Sequence, residues 1–176
     1  MSPVGSRIAG IGREIRQSGI PCFALVDAAR APSAREFIVH ADGARVSLYK
    51  GPSAKTLATI APYAIDFSKN SALLQRFLRE GWGNAWGVCL QSKTTLSQLR
   101  NHFRRFLVVD SPDNRLFYFR FYDPRVLRVF LPACSREELT EFFGPVESFL
   151  MEGKEPSQLM RYTLEKGALQ EQVVRV

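Results

Sequence analysis

Apolar residues recur at helical spacing in two stretches near the middle of the chain. In SALLQRFLREG one helical face carries only apolar side chains, namely Leu73, Leu74, Phe77 and Leu78. Gly81 stands where such a helix is expected to end. TTLSQLRNHFRRF repeats the pattern with Leu96, Leu99, Phe103 and Phe106. Both stretches therefore predict amphipathic helices that bury one face.

Short apolar or alternating runs between these stretches predict strands. CFALVD suits a buried strand, and RVSLYK, residues 63–67 and NAWGVCLQS are further strand candidates. FLVVD and RLFYFRFYD flank the turn sequence SPDN, so residues 107–122 are predicted to form a β-hairpin. Strands and helices alternate along the chain. We therefore predict an α/β fold in which helices flank a mixed sheet.

Two short helices are predicted after the hairpin, because their ends are marked by capping residues. Asp123 and Pro124 supply an N-cap and a first-turn proline for a helix over residues 125–131. Ser135 and Glu138 have capping-box spacing at the start of the next helix. Gly144 and Pro145 are predicted to end it.

Composition divides the chain into three regions. Residues 1–19 are rich in Gly, Ser and Arg and are predicted to form a flexible lead-in. Residues 20–150 are predicted to form one domain with its own core. Residues 151–176 are more polar, and we expect a tail that is either a helix or a partner-docking segment.

Charge and cysteine usage narrow the class of protein. The net charge of +7 favours an acidic partner. The chain has 3 scattered cysteines and no paired metal-ligand spacing, which argues against a disulfide framework or a zinc site. Neither a signal peptide nor a membrane-spanning run is apparent. We therefore expect a cytoplasmic protein that binds no membrane, metal or cofactor.

The sequence contains no GxSxG, Walker or HExxH motif. Cys89 and His102 could in principle form a thiol nucleophile and its base, but a core cysteine and a surface histidine are the simpler interpretation. We therefore expect a protein that is not an enzyme.

The stretch RLFYFRFYDPRVL combines aromatic and basic residues. With a period of two, Phe117, Phe119 and Phe121 would share a core face, and Tyr118, Arg120 and Tyr122 would share the opposite face. The partner-binding surface predicted from this pattern comprises Tyr118, Arg120, Tyr122, Arg125, Arg128, Arg104 and Trp86. Tyr and Arg are enriched where interfaces concentrate their energy.

Three other interpretations of these residues stay open. The outward face could be an ordinary amphipathic surface, with Arg120 packed between two rings. Arg120 or Arg125 could instead tie the hairpin to its helix through a buried carboxylate. The third interpretation is a nucleic-acid-binding surface, since the strand is similar to that of an RNA-recognition sheet but lacks its glycines. It would use Arg100, Arg104, Arg105, Arg120, Arg125 and Arg128.

The order and spacing of several motifs also carry a family resemblance. ALVDAAR, SLYKG, APYAIDF, EGWGNAWG, RFYDPRVL with a following FLP, and FFGP lie in one succession over residues 23–150. In these motifs the chain resembles the effector-adaptor chaperones of Gram-negative bacterial type VI secretion. The resemblance implies a non-enzymatic cytoplasmic protein that binds a toxic effector and helps load it onto the VgrG spike or its PAAR tip. Its partners would then be proteins, and a nucleic acid is the alternative. The long C-terminal extension of some members is missing from this sequence.

Overall fold

The structure of the protein is a computed structural model that describes residues 3–41, 44–110, 113 and 116–176. The described helices are α1 (Pro3–Arg16), α2 (Pro32–Val39), α3 (Pro52–Thr56), α4 (Ser71–Gly81), α5 (Leu96–Phe103), α6 (Pro124–Ala133) and α7 (Arg136–Phe143). A 3-10 turn (Arg104–Phe106) follows α5. The described strands are β1 (Cys22–Asp27), β2 (Arg45–Ser47), β3 (Pro62–Asp66), β4 (Gly87–Gln91), β5 (Val108–Asp110), β6 (Leu116–Tyr118), β7 (Ser148–Glu152), β8 (Gln158–Glu165) and β9 (Ala168–Arg175).

Seven strands form one sheet in the order β2-β3-β1-β4-β7-β8-β9. Every residue of β1 is buried, as its continuous apolar run predicts. Ala24 and Val26 face a core built with α1, α2 and α4, whereas Phe23 and Leu25 face a core built with α5, α6 and α7. Helices therefore cover both faces of the sheet.

The predicted α/β class, with flanking helices and a hairpin followed by short capped helices, is confirmed. All pairings between described strands of the large sheet are antiparallel, whereas the sequence predicted a mixed sheet. The Asp123 side chain caps α6, as predicted, and Pro124 opens that helix. Gly144 ends α7 with a φ of +48°, a conformation that glycine adopts most readily, and Pro145 follows it.

The prediction of a flexible lead-in is wrong for the described residues before β1. Residues 3–16 form α1, and Ile8, Ile11 and Ile15 of this helix are buried in the core. Gly12 permits a close approach to α4, because a Cβ at that position would meet the side chain of Gln75. The helical spacing of the three isoleucines was the available signal, and the Gly-Ser-Arg composition around them concealed it.

The prediction of a C-terminal helix is wrong too, because residues 158–175 form a long antiparallel hairpin. β8 pairs with β9 from Gln158↔Arg175 to Glu165↔Ala168. Lys166 and Gly167 both have positive φ, the conformation of a two-residue hairpin turn. The domain boundary placed after residue 150 falls inside β7, and one sheet continues through β9. That this segment docks a partner stays a prediction.

None of the helices in the described part of the chain combines the length and the apolarity needed to cross a membrane.

Candidate partner-binding surface

The predicted alternation of core and outward residues stops where β6 ends, at Tyr118. Phe121 is completely buried, but Phe117 is 51% exposed. Tyr122 is buried as well, although the alternation placed it on the outer face with Tyr118. The predictions of a core Phe117 and an outward Tyr122 are therefore wrong. Side chains alternate between faces only within a strand, and the backbone turns after Phe119, where the amide of Asp123 donates to the carbonyl of Arg120 at 3.0 Å.

Arg120 connects this turn to β1, an interior strand of the large sheet. Its guanidinium donates to the carboxylate of Asp27 at 2.5 Å. Asp27 ends β1, and its side chain is only 2% exposed. Burial alone would lower the pKa of Arg120, but the hydrogen bond and the charge of Asp27 raise it above its ordinary value. This contact is the buried-carboxylate arrangement considered as an alternative to a binding role.

Asp123 and Arg125 extend the network at the start of α6. The Asp123 carboxylate accepts the backbone amide of Arg125 at 2.9 Å and two guanidinium bonds from the same residue, at 3.0 and 2.6 Å. Burial tends to raise the pKa of Asp123, but the hydrogen bonds and charge of Arg125 hold it below its ordinary value. Asp123 also lies 4.0 Å from Arg120. We call Asp27, Arg120, Asp123 and Arg125 the ionic cluster.

Tyr122 packs beside the ionic cluster rather than facing a partner. Burial raises the pKa of its phenol far above the ordinary value, and the negative charge of Asp27 adds to that shift. Its ring contacts Phe121 edge-on, with 5.5 Å between the centroids. Tyr122 thus contributes to packing at the junction between the hairpin and α6.

Arg128 and Arg125 line a basic depression beside α6. Arg128 donates to the backbone carbonyls of Glu152 and Gly153, the latter at 2.8 Å, and so holds the segment that follows β7. The cavity has a volume of about 420 Å³. Three cations and one carboxylate line it with apolar and neutral polar residues, namely Arg125, Arg128, Val129, Lys154, Gln158, Met160, Tyr162, Glu171 and Val173. We call this cavity the basic groove, and its floor of apolar side chains can accommodate an acidic, partly apolar segment.

The remaining predicted residues lie in two other places. Arg104 and Tyr118 line a shallow depression together with Tyr49, whose ring centroid is 6.4 Å from that of Tyr118. Trp86 is 2% exposed and packs on Phe37 in the core beneath the opposite face of the sheet. The predicted set is therefore divided: Tyr118 and Arg104 are neighbours, Arg125 and Arg128 are neighbours, and Trp86 is distant from both pairs.

A concentration of exposed apolar side chains on β5 and β6 was missed by the sequence reasoning. The five residues are Val108, Val109, Leu116, Phe117 and Tyr118, with exposures from 42% to 71%. We call them the apolar hairpin. The strands pair through Val108↔Tyr118, Val109↔Phe117 and Asp110↔Leu116. The predicted SPDN turn lies outside the described residues apart from Asp113. Large exposed apolar patches mark interaction sites in proteins.

The sequence did contain a signal for this surface. A half-buried strand alternates apolar with polar residues, but VV and LFY carry apolar side chains on both of their faces. Strands of that kind are normally covered on both faces. In the described structure both faces are exposed instead. Val109 and Phe117 are exposed on one face, and Val108 and Tyr118 are exposed on the other.

A second apolar feature adjoins the hairpin where Phe119 leaves it. A cavity of about 410 Å³ has an almost entirely apolar lining. The lining residues are Phe106, Val109, Phe119, Phe130, Phe142, Glu138 and Glu141. We call this cavity the phenylalanine groove. The sequence indicated this groove only indirectly. The stretch FYFRFYDPRVLRVF contains more phenylalanines than one core face can bury.

The nucleic-acid and thiol interpretations of the sequence involve Arg100, Arg105, Cys89 and His102. Arg100 donates to the backbone carbonyls of Ser47 and Tyr49, and Arg105 donates to His102, so these arginines bond to their own chain. Cys89 and His102 face opposite sides of the sheet, in different cores, and do not approach each other. The proposed thiol pair is therefore not formed.

His102 has a structural place in the second core. One ring nitrogen lies 2.8 Å from the backbone carbonyl of Phe142, and the other lies 3.1 Å from the guanidinium of Arg105. Burial lowers the pKa of this imidazole, and the charge of Arg105 acts in the same direction. A neutral ring that donates to the carbonyl and accepts from the arginine satisfies both contacts.

Comparison with known protein families matches residues 22–141 to the family described as "Domain of unknown function (DUF4123)". The match begins with β1 and reaches into α7, and it covers more than half of the 176-residue chain. It thus contains the apolar hairpin, the ionic cluster and all residues of the phenylalanine groove except Phe142. No curated protein and no solved structure matched the chain.

Proposed function

The chain belongs to the DUF4123 family, and we propose that it is a non-enzymatic adaptor of type VI secretion. In this proposal it binds a toxic effector in the cytoplasm and promotes loading of that effector onto the VgrG spike or its PAAR tip. The motif resemblance described above suggests these partners. The structural observation that carries the proposal is the apolar hairpin.

The apolar hairpin has the properties expected of a protein-binding element. Burying a large apolar side chain completely is worth roughly 1.5–3 kcal/mol, so covering residues that are about half exposed would yield about 1 kcal/mol each. Leu116 and Tyr118 are the most exposed of the five. A partner that covered both faces of the hairpin would gain this free energy without any rearrangement of the core.

Charge supports a partner with acidic segments. The chain has a net charge of +7, and the basic groove presents Arg125, Arg128 and Lys154 around an apolar floor. Arg125 is bonded to Asp123, but half of its side chain is exposed. We therefore retain Tyr118, Arg104, Arg125 and Arg128 as proposed partner-binding residues, and we assign Arg120, Tyr122 and Trp86 to the architecture.

Co-purification tests this proposal. The chain would be co-expressed with the products of the genes on either side of its own, one of them expected to encode a spike and another a toxin. We expect the wild-type chain to capture the toxin and the spike. The double variant Phe117→Ser/Tyr118→Ser should lose capture, because both substitutions remove exposed apolar surface without touching the core.

A matched control is available on the other side of the molecule. Val39 is 56% exposed on α2, which packs against the opposite face of the sheet. Val39→Ser should therefore capture both partners at the wild-type level, and circular dichroism should show all variants folded. Capture by the hairpin variant at the wild-type level would refute the role of the hairpin. Failure of the wild-type chain to bind any neighbouring gene product would refute the adaptor proposal.

A further inference from the structure

We propose that the phenylalanine groove binds an amphipathic helix of a partner protein, one with an apolar face flanked by lysine or arginine. The inference deepens the proposed function, and rests on it only for the partner's membership of the secretion machinery. The chemistry of the helix follows from the groove itself.

The walls of the groove are already assembled. Phe142 is buried and forms the floor, while Phe106, Phe119 and Phe130 are partly exposed around it. Ring centroids lie 4.6 Å apart for Phe119 and Phe130, and 5.1 Å apart for Phe142 with either Phe106 or Phe130. These tilted and edge-to-face contacts fix the rings before a ligand arrives, which limits the entropy lost on binding.

The size and polarity of the groove indicate a helix rather than an extended chain. A volume of about 410 Å³ is sufficient for a few apolar side chains. The almost wholly apolar lining offers few partners for a peptide backbone. An extended segment would leave buried N–H and C=O groups unsatisfied there, whereas a helix satisfies its own. Apolar anchors one turn apart are the usual way in which a helix fills such a groove.

The charged residues at the edge of the phenylalanine groove indicate which charges the bound helix should carry. Glu138 and Glu141 lie one turn apart on α7, and both are exposed at the edge of the groove. Arg105 lies over the ring of Phe106, 5.4 Å from its centroid, and is bonded to His102, but it does not line the groove. The groove therefore presents carboxylates at its edge, although the chain as a whole is basic. Lysine or arginine beside the apolar anchors complements this rim.

The basic groove has the opposite preference and opens on another face of α6. Arg125, Arg128 and Val129 line the basic groove, whereas Phe130 lines the phenylalanine groove. One short helix thus separates a site suited to an acidic segment from a site suited to a basic one. Two chemically different segments could be bound side by side, as an adaptor between two proteins requires.

Synthetic peptides test the inference without any knowledge of the natural partner. Three labelled amphipathic peptides of about 18 residues, or about five helical turns, would share one apolar face and differ in lysine, glutamine or glutamate flanks. Binding would be measured by fluorescence anisotropy. We expect the lysine peptide to bind about tenfold more tightly than the glutamate peptide. A proline-interrupted lysine peptide should not bind.

Variants of the chain then locate the site. Glu138→Gln combined with Glu141→Lys should reverse the ranking of the peptides, and glutamine at position 138 can still serve the capping box with Ser135. Val109→Ser should weaken the binding of all the peptides. Val39→Ser is the control, because Val39 is exposed on α2, at the opposite face of the sheet, and does not line this groove.

The outcomes separate this inference from the proposed function. Equal binding of the lysine and glutamate peptides, no binding of any peptide, or equal effects of Val39→Ser and Val109→Ser would overturn the groove assignment. If the expected ranking holds while no neighbouring gene product is captured, the groove stands and the adaptor proposal fails. If those products are captured but the peptides show no selectivity, the adaptor proposal stands and the groove assignment fails.

Discussion

Phe117 and Phe121 stand four residues apart in one aromatic stretch but lie in opposite environments. Phe121 is completely buried, with its ring 5.4 Å from that of Phe103 and 5.7 Å from that of Phe142. Phe117 lies on β6 with half of its surface in solvent. Residue type does not distinguish them. What distinguishes them is the end of the strand at Tyr118, beyond which the chain turns into the core.

The same boundary separates the tyrosines. Tyr118 is 67% exposed, whereas Tyr122 is buried beside the ionic cluster. Arg120, between them, is held by the carboxylate of Asp27 at the end of β1. The exposed residues of the apolar hairpin are thus available to a partner, whereas Arg120, Phe121 and Tyr122 hold the junction of hairpin, sheet and helix. Substitutions on the two sides should have different consequences.

The largest effect is expected for Phe121→Ala. Removal of a completely buried phenylalanine ring leaves a cavity and costs about 3–5 kcal/mol of unfolding free energy. Urea denaturation followed by circular dichroism measures this cost, with Val39→Ala as a control on the exposed surface. A loss below about 1 kcal/mol would mean that the ring is not packed as described.

Arg120→Glu should have the next largest effect. The substitution leaves Asp27 buried without its partner and places a second carboxylate beside it, which we expect to cost about 3 kcal/mol. Arg104→Glu is the control, because Arg104 has no ion pair among the described residues. An Arg120→Glu variant with wild-type stability would return this arginine to the set of candidate binding residues.

Asp123→Ala should cost about 1 kcal/mol, the usual value for a lost N-cap. Asp123→Asn keeps a capping side chain and removes only the charge that Arg125 stabilises. Because the pKa of Asp123 is lowered in the folded state, its contribution is complete above the ordinary value of 3.8 and is lost as the pH falls through the lower, folded value.

The pH dependence of the Asp123→Asn variant checks that sign. The difference in unfolding free energy between wild type and Asp123→Asn should be constant near neutral pH and should shrink below pH 3.8. Denaturation curves recorded at several pH values measure it. A difference that grows as the pH falls would show that Asp123 is destabilised, rather than stabilised, as a carboxylate in the folded chain.

Local signals in the sequence predicted part of this architecture. Capping residues fix where a helix begins, so the start of α6 at Pro124 and the end of α7 at Gly144 could be predicted from single residues. The nearly continuous apolar run of β1 predicted a buried strand. These features depend on neighbours within a few positions along the chain, which the sequence displays directly.

Features that depend on distant contacts were not predictable in the same way. Arg120 and Asp27 are far apart in sequence, and no local pattern pairs them. β6 ends at Tyr118 because the chain turns there towards α6. In the sequence, the alternation with a period of two continues through Tyr122. The phenylalanine groove is formed by five separate segments, and the aromatic composition indicated only that rings would cluster.

The smallest effect on stability is expected for Phe117→Ala, and it completes the comparison with Phe121. Half of the Phe117 ring is already in water, and its partner across the hairpin, Val109, is also 42% exposed. Truncation should therefore change the unfolding free energy by less than about 1 kcal/mol. The same variant should weaken capture of a partner, because the ring would be covered only in a complex. Parallel measurement of denaturation and capture distinguishes the two roles. If Phe117→Ala lost as much stability as Phe121→Ala, the hairpin would be part of the core, and its exposed surface could no longer support the proposed function.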